Sequence, residues 1–217
     1  GWTPSSDIVN ALEPVAPPTQ KGIFAYGNNG SDVNTRNLVN SSGVVAADAT
    51  GAGAARNGTA GAPYGGDKGL YAFGDAGGSR TGASNLVTAA GVVSTDVSAV
   101  GTPKTALAAG GYGGDKAIFA FGSTSSGYTN TKNLVNNSGV VASDATGGGT
   151  ARVNLAGAKF GDGQVIFAFG YLSGAPDTNI SNKVSNTGVI ASDTGGVGTA
   201  RRQLSAASYG TDTAIFL

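Results

Sequence analysis

The chain has 217 residues, among them 38 Gly, 7 Pro and one Trp, with no Cys, Met or His, and its 13 Lys and Arg balance 13 Asp and Glu. Without His or Cys there is no Ser-His-Asp triad, no thiol nucleophile, no disulfide, and no zinc or haem site with nitrogen or sulfur ligands. Zero net charge, with no basic cluster beyond Arg201-Arg202, argues against nucleic acid as a partner.

The predicted elements begin with Asp7 to Ala16, which can be laid over Asn37 to Ala46 so that Ile8-Val9-Asn10 matches Leu38-Val39-Asn40. An aromatic strand comes next, Ile23-Phe24-Ala25-Tyr26-Gly27. It returns at Leu70 to Gly74, Ile118 to Gly122, Ile166 to Gly170 and, cut short, at Ile215 to Leu217. Its glycines step by 47, 48 and 48 residues, and such a period marks a repeat architecture. After the aromatic strand come Asn37-Leu38-Val39 and then Gly43-Val44-Val45, with counterparts at Asn85 and Gly91, Asn133 and Gly139, and Asn182 and Gly188. A small-residue segment, such as Leu155 to Gly161 or Leu204 to Gly210, precedes each later aromatic strand.

Four short strands per unit, separated by Gly, Asn, Ser, Asp and Thr, predict an antiparallel sheet rather than helices. Gly costs about 1 kcal/mol against Ala inside a helix. The period and strand count are those of a propeller blade. The expected fold is therefore all-β, a five-bladed β-propeller in one domain over 1–217. Its units are approximately 21–67, 68–115, 116–162, 163–210 and a partial 211–217, and 1–20 serves as the segment that closes the ring. No stretch reaches the roughly 18 apolar residues of a membrane span, and no signal peptide is apparent, so membrane insertion is not expected. Lacking Met, the chain does not show its own translation start and reads as processed, trimmed or part of something longer.

Asp48, Asp96, Asp144 and Asp193 are each followed eight residues later by a cation, Arg56, Lys104, Arg152 and Arg201. This constant spacing predicts a turn-spanning ion pair, or an Asp capping the Gly-rich connection, once per unit. Four equivalent carboxylates do not suggest an active site, which needs one special pair. Asp67-Lys68 and Asp115-Lys116 read as turn residues. The repeated Phe24, Tyr71, Phe119 and Phe167 read as core between units, and the glycines closing their strands as positions of positive φ. No Asp run at alternating positions suggests a calcium loop, and no metal or cofactor is expected.

The run Tyr112 to Gly122, with Asn133-Leu134-Val135-Asn136, Gly139 to Asp144 and Thr150-Ala151-Arg152, resembles the repeat of virion structural and fibre-associated proteins of tailed bacteriophages, notably marine ones. More distantly, Arg, a small-residue strand and an aromatic strand ending in Gly are similar to Kelch repeats, from which this chain departs by a single Gly after the aromatic strand and by lacking a late Trp in each unit. The resemblance covers about residues 21 to 217. It implies a virion component, localised in the extracellular particle, whose partners are other capsid, tail or fibre proteins, and it supplies no catalytic residues.

Within the chain, the segments after the aromatic strands differ most, and function on such scaffolds usually lies in loops. Arg80, Tyr128, Asn130, Tyr171 and Asp177 are the side chains there that other copies do not match, and they form the candidate binding face. The two tyrosines could stack on sugar rings while Asn, Asp and Arg bond hydroxyls, which would make host-surface glycans the partner. The expected function is a non-enzymatic structural component of a bacteriophage virion, in decoration or host attachment. The alternative is a glycan-binding, lectin-like module. Hydrolysis is disfavoured because the carboxylates outside the pattern come from separate segments.

Overall fold

Counted by sheets, so that each unit begins at the small-residue strand instead of at the aromatic strand, the second, third and fourth units share one order, from the strand of small residues through the aromatic strand to the Asn-Leu-Val strand. The computed structural model describes residues 22–217 except 99 and 175. The N-terminal segment expected to close the ring lies outside the described residues. In the third unit Ala108–Tyr112 pairs antiparallel with Lys116–Ala120, which pairs with Thr131–Val135. The second unit repeats this with Ala60–Tyr64, Lys68–Ala72 and Ser84–Val87, and the fourth with Ala156–Phe160, Gln164–Ala168 and Ser181–Val184. The first unit contributes Gly22–Asn28 and Asp32–Val39, and the last Ala206–Tyr209 and Thr213–Phe216.

The fourth expected strand, carrying Val-Val, makes one bridge in each of the first four units, Val39 to Val45, Val87 to Val93, Val135 to Val141 and Val184 to Ile190. The chain pairs again further on, as the two-residue strands Ala49–Thr50 and Ala145–Thr146 in the first and third units and as the bridges Ser84 to Val97 and Ser181 to Thr194 in the second and fourth. A tight turn precedes each Val-Val bridge. Gly43, Gly91 and Gly139 donate back to residue 40, 88 or 136 only three positions earlier. The described residues are all-β, arranged as several small antiparallel sheets.

Hydrophobic cores lie between sheets. Ala62, Tyr64, Leu70 and Phe73 of the second unit pack on Leu107, Ala109, Phe119 and Val135 of the third. From the opposite face of that third sheet, Tyr112, Ile118 and Phe121 pack on Leu155, Val165, Phe167 and Ile190 of the fourth. The inner sheets are thus covered on both sides, so their aromatic strands read as continuous apolar runs rather than alternating ones. Small residues on the neighbouring strand let adjacent sheets approach. A Cβ on Gly110 would lie 2.7 Å from Val165, and one on Gly111 2.8 Å from Pro63.

Main-chain hydrogen bonds tie the units as well. The Ala106 amide donates to Gly58, Asn154 to Ala106, and Gln203 to Asn154, a ladder of equivalent residues through four units. A second series runs at the opposite ends of the small-residue strands: Gly65 donates to Asp115, Gly113 to Gly163, and Gly161 to Asp212. The principal contacts between sheets join consecutive units. Among the described residues the first and last units share none of these contacts, and ring closure is not seen.

Aromatic rings and cations make each joint. Tyr26 faces Tyr71, Phe73 faces Phe119, Phe121 faces Phe167 and Phe169 faces Phe216, with ring centroids 5.5 to 5.8 Å apart. The first member of each pair has φ of 64° to 66°. That left-handed conformation costs an ordinary side chain about 1–2 kcal/mol. The following glycine, also at positive φ, donates its amide to the carbonyl of Arg56, Lys104, Arg152 or Arg201 in the next unit. That same cation lies over the strained ring, at 4.1, 4.7, 4.2 and 4.0 Å. A cation over a desolvated ring is worth up to about 2 kcal/mol and ring burial roughly 1.5–3 kcal/mol, so the joint outweighs the backbone strain. The core reading holds for Phe119 and Phe167, which are fully buried, whereas Phe24 at the first sheet is exposed.

The ionisable residues pair differently from the eight-residue expectation. Asp48 accepts from Asn37. Arg56 instead bonds Asn85 and lies 3.4 Å from Asp96. Lys104 donates to Asn133, which donates to Asp144, and Arg152 lies 3.9 Å from Asp193. The cation sits at the start of its unit and the acid near the end, so folding the sheet back brings them together across the Asn-Leu-Val strand. The capping half of the expectation is met in an altered partnership: Asp96, Asp144 and Asp193 accept from the Gly-rich-segment amides of Ala54, Thr102 and Thr150. Partial burial pushes these carboxyls up, but the amide, hydroxyl, Asn and cation donors together outweigh it and hold them below the ordinary value. Burial pulls Lys104 down to about 8 against the attraction of Asp144. Arg201 donates to the carbonyls of Thr199 and Phe216.

Candidate functional site

The left-handed ring residue and its glycine interrupt each full-length aromatic strand without turning it back, since Asp75, Ser123 and Leu172 still pair with Asn57, Thr105 and Arg152, and the next segment projects as a short hairpin or turn. In the second unit Asp75–Ala76 pairs with Ser79–Arg80, and in the third Ser123–Thr124 pairs with Gly127–Tyr128. In the fourth, Tyr171–Leu172 pairs with Arg152–Val153 and Tyr171 also bridges Asp177. In the first unit the Asn28 to Ser31 turn takes this place, closed by bonds to the Asn28 and Asn29 side chains.

These projections form a row in which each touches the next. Asp32 accepts from Asn57 at 2.6 Å and from the Gly77 amide of the following hairpin at 3.0 Å. Those bonds, the Asn57 one foremost, hold its carboxyl below the usual range. Arg80 donates to Ser123 Oγ at 3.2 Å. Tyr128 and Tyr171 meet edge to face with centroids 6.4 Å apart. Arg202 then covers Tyr171 at 4.3 Å and lies 3.5 Å from Asp177. Beside the first half of the row is a groove of about 670 Å³ lined by Asp32, Asn57, Asp75, Ser79, Arg80 and Ser125, among others.

Of the residues singled out by sequence, Tyr128, Tyr171 and Asp177 come together, and Arg80 joins them through Ser123, the cross-strand partner of Tyr128. Asn130 does not belong to this site. Its amide donates inward to the carbonyls of Gly147 and Gly149, as Asn34 does to Gly51 and Gly53 and Asn179 to Gly196 and Gly198. It is a repeat-position residue that straps the Gly-rich segment, and its matches were hidden by unequal loop lengths. Arg202 and Asp32 escaped the sequence reading. The adjacency of Arg201 and Arg202, which has no parallel in other units, was the available signal for the former.

No protein-family model matches the chain, and no curated protein does. The row presents hydroxyl, carboxylate, guanidinium and aromatic groups on a rigid support, a set able to bond and stack on a polyhydroxylated ligand.

Proposed function

We propose that the chain is a non-enzymatic structural component of a bacteriophage virion, used in decoration of a capsid, tail or fibre or in host attachment. The observation that carries this reading is where the chemistry is spent. Arg56, Lys104 and Arg152 are completely buried, and with their Asn and Asp partners they hold sheet to sheet. The repeat's likeness to phage virion proteins supplies the setting, and other virion proteins are then the partners. The test is sedimentation of virions followed by mass spectrometry. The chain should co-sediment with particles in fixed stoichiometry, and its presence only in the particle-free fraction would overturn the reading.

A second reading, glycan recognition, is favoured by the Tyr128 and Tyr171 pair with Arg202 and Asp177 beside it. It expects selective binding on a glycan array, lost in Tyr128→Ala or Tyr171→Ala. Uniform absence of binding would remove it.

The virion reading takes the units as propeller blades. Its support is the small-residue strand, at one edge of the sheet order, which contacts its counterpart in the next unit at each step from Ala60–Tyr64 to Ala206–Tyr209. A five-bladed ring would further require the faces of the first and last units to meet within one chain.

A further inference from the structure

The cations that cover the left-handed rings are Arg56, Arg152 and Arg201 at three of the joints, and a lysine, Lys104, at the fourth. Lys104 and Asn133 are both fully buried. Lys104 Nζ donates to Asn133 Oδ1 at 2.7 Å, whereas its other acceptors, the carbonyl and hydroxyl oxygens of Thr131, lie 3.4 Å away. An ammonium held by one good bond is poorly compensated for the water it has lost. Burial accordingly pulls it down to about 8, so that a good share of chains carry the free amine at mildly alkaline pH. The carbonyl carbon of Asn133 is one bond of about 1.23 Å beyond the oxygen that Nζ touches, which puts the nitrogen within about 4 Å of it, near the attack separation of about 3–3.5 Å.

At the other end of the same amide, Asn133 Nδ2 donates to Asp144 Oδ1 at 2.7 Å. Hydrogen bonds and the pull of Lys104 outweigh partial burial and keep this carboxyl below its ordinary value, hence ionised and open to a proton. It becomes the stronger base once the amine is neutral, because that pull is then withdrawn. Among the described residues the other joints lack this set. In the second unit Arg56 stands in place of the lysine, donating to Asn85, which donates to Asp96. A guanidinium stays protonated and offers no nucleophile. In the fourth, Arg152 turns to the carbonyls of Phe167 and Phe169 and leaves Asn182 Oδ1 buried without a partner.

We propose that Lys104 and Asn133 join in an intramolecular isopeptide bond, with Asp144 as the proton carrier. Nζ of the neutral amine attacks Cγ of Asn133, and the new C–N bond forms as the Cγ–Nδ2 bond breaks. Asp144 takes the proton that the amine sheds and hands it to Nδ2, to which it is already bonded. The products are a secondary amide and one molecule of ammonia, and no oxidant, reductant or further reactant is consumed. The bond closes the chain between Lys104 and Asn133 and constrains it as a disulfide would, in a protein that has no cysteine. Once joined, Lys104 no longer titrates, so an alkaline dependence arising from its free amine belongs to the unreacted chain.

Intact-mass spectrometry of the denatured full chain tests this, with tryptic mapping to place the bond. The wild type should fall short of its sequence mass by one ammonia, resist cleavage after Lys104, and yield the peptide that holds Lys104 joined to the one that holds Asn133. Lys104→Arg, which copies the second unit, should keep the full sequence mass. Asp144→Asn retains an acceptor for the Thr102 amide and should show an unchanged circular dichroism spectrum while remaining unlinked. Three results would each overturn the inference: a folded wild type at full mass; an ammonia loss that persists in Lys104→Arg, as cyclisation at Asn57-Gly58 would give; or linkage in Asp144→Asn as complete as in the wild type.

Discussion

The guanidinium carbon of Arg56 sits 4.1 Å from the centre of the Tyr26 ring while its Nη2 donates to Asn85, so one side chain grips two successive sheets. Tyr26 belongs to the first unit and Asn85 to the second. Removing the cation leaves a strained ring uncovered and the Asn85–Asp96 pair without its donor. Breaking one partner out of a buried ion pair typically costs about 3–5 kcal/mol. Because Asp96 is partly exposed, Arg56→Met should lower unfolding free energy in urea by about 3 kcal/mol, the lower end of that range. Arg56→Lys should lose clearly less, because Lys104 fills the equivalent place over Phe73. Equal losses in the two variants would show that the charge over the ring is not what matters.

Lys104 makes the stability of the protein depend on alkaline pH. Its folded value is about 8, whereas the ordinary value is 10.5, so between these the unfolded chain binds more protons. Stability contributed by this site then rises with pH through that window, since the buried charge is shed in the folded state first. Below the folded value both states are charged and the full cost of burying the ammonium is present. Wild type should gain on Lys104→Met as pH rises from about 8 toward 10.5, followed as the difference in melting temperature. Tyr71, pushed up to about 12 by burial, acts in the opposite sense once the unfolded tyrosine ionises, and because both proteins carry it the difference between them isolates Lys104. A flat difference would contradict the burial of a charged Lys104.

Gly139 and Gly66 share a φ of +83°, but only Gly139 has a neighbour in the place of a Cβ, with Leu86 at 2.7 Å and Tyr64 at 2.9 Å. Alanine at either site meets the same backbone penalty, about 1–2 kcal/mol. Gly139→Ala must also displace the ring and should cost about 1–3 kcal/mol more, as overpacking does. Equal melting temperatures for the two variants would mean that the sheets can part without loss.

Arg202→Ala separates the candidate site from the scaffold. The pair with Asp177 is substantially exposed, and such pairs contribute about 0–1 kcal/mol. Thermal stability should barely move, while removal of the cation uncovers Tyr171 and, on the glycan reading, should weaken binding in the same screen as Tyr171→Ala. A large fall in melting temperature would instead assign Arg202 to the joints.

Much of the design was legible in the chain because repetition is a one-dimensional property. The recurrence of Phe119 at Phe167, or of Asn85 at Asn133, fixes which residues play equal parts, and the spacing of Gly, Asn and Ser between short apolar runs fixes strands rather than helices. The loops gave way sooner. Asn130 looked unique only because neighbouring loops differ in length, and its equivalence to Asn34 and Asn179 emerges from what each amide grips.

A period says that residues are equivalent but not which copy meets which. Asp48 lies eight residues before Arg56 and Asp96 lies forty after it, and both fit the pattern equally well. The chain alone determined an all-β repeat with its cations, acids and aromatic rings in fixed register. Tertiary structure decided that Arg56 closes on Asp96, that Phe73 and Phe121 turn left-handed to reach the next sheet, and that Phe24 and Tyr209 remain uncovered. The physical reason is that these contacts are settled by how one sheet stacks on another, where the gain from burying rings and cations outweighs local backbone preference.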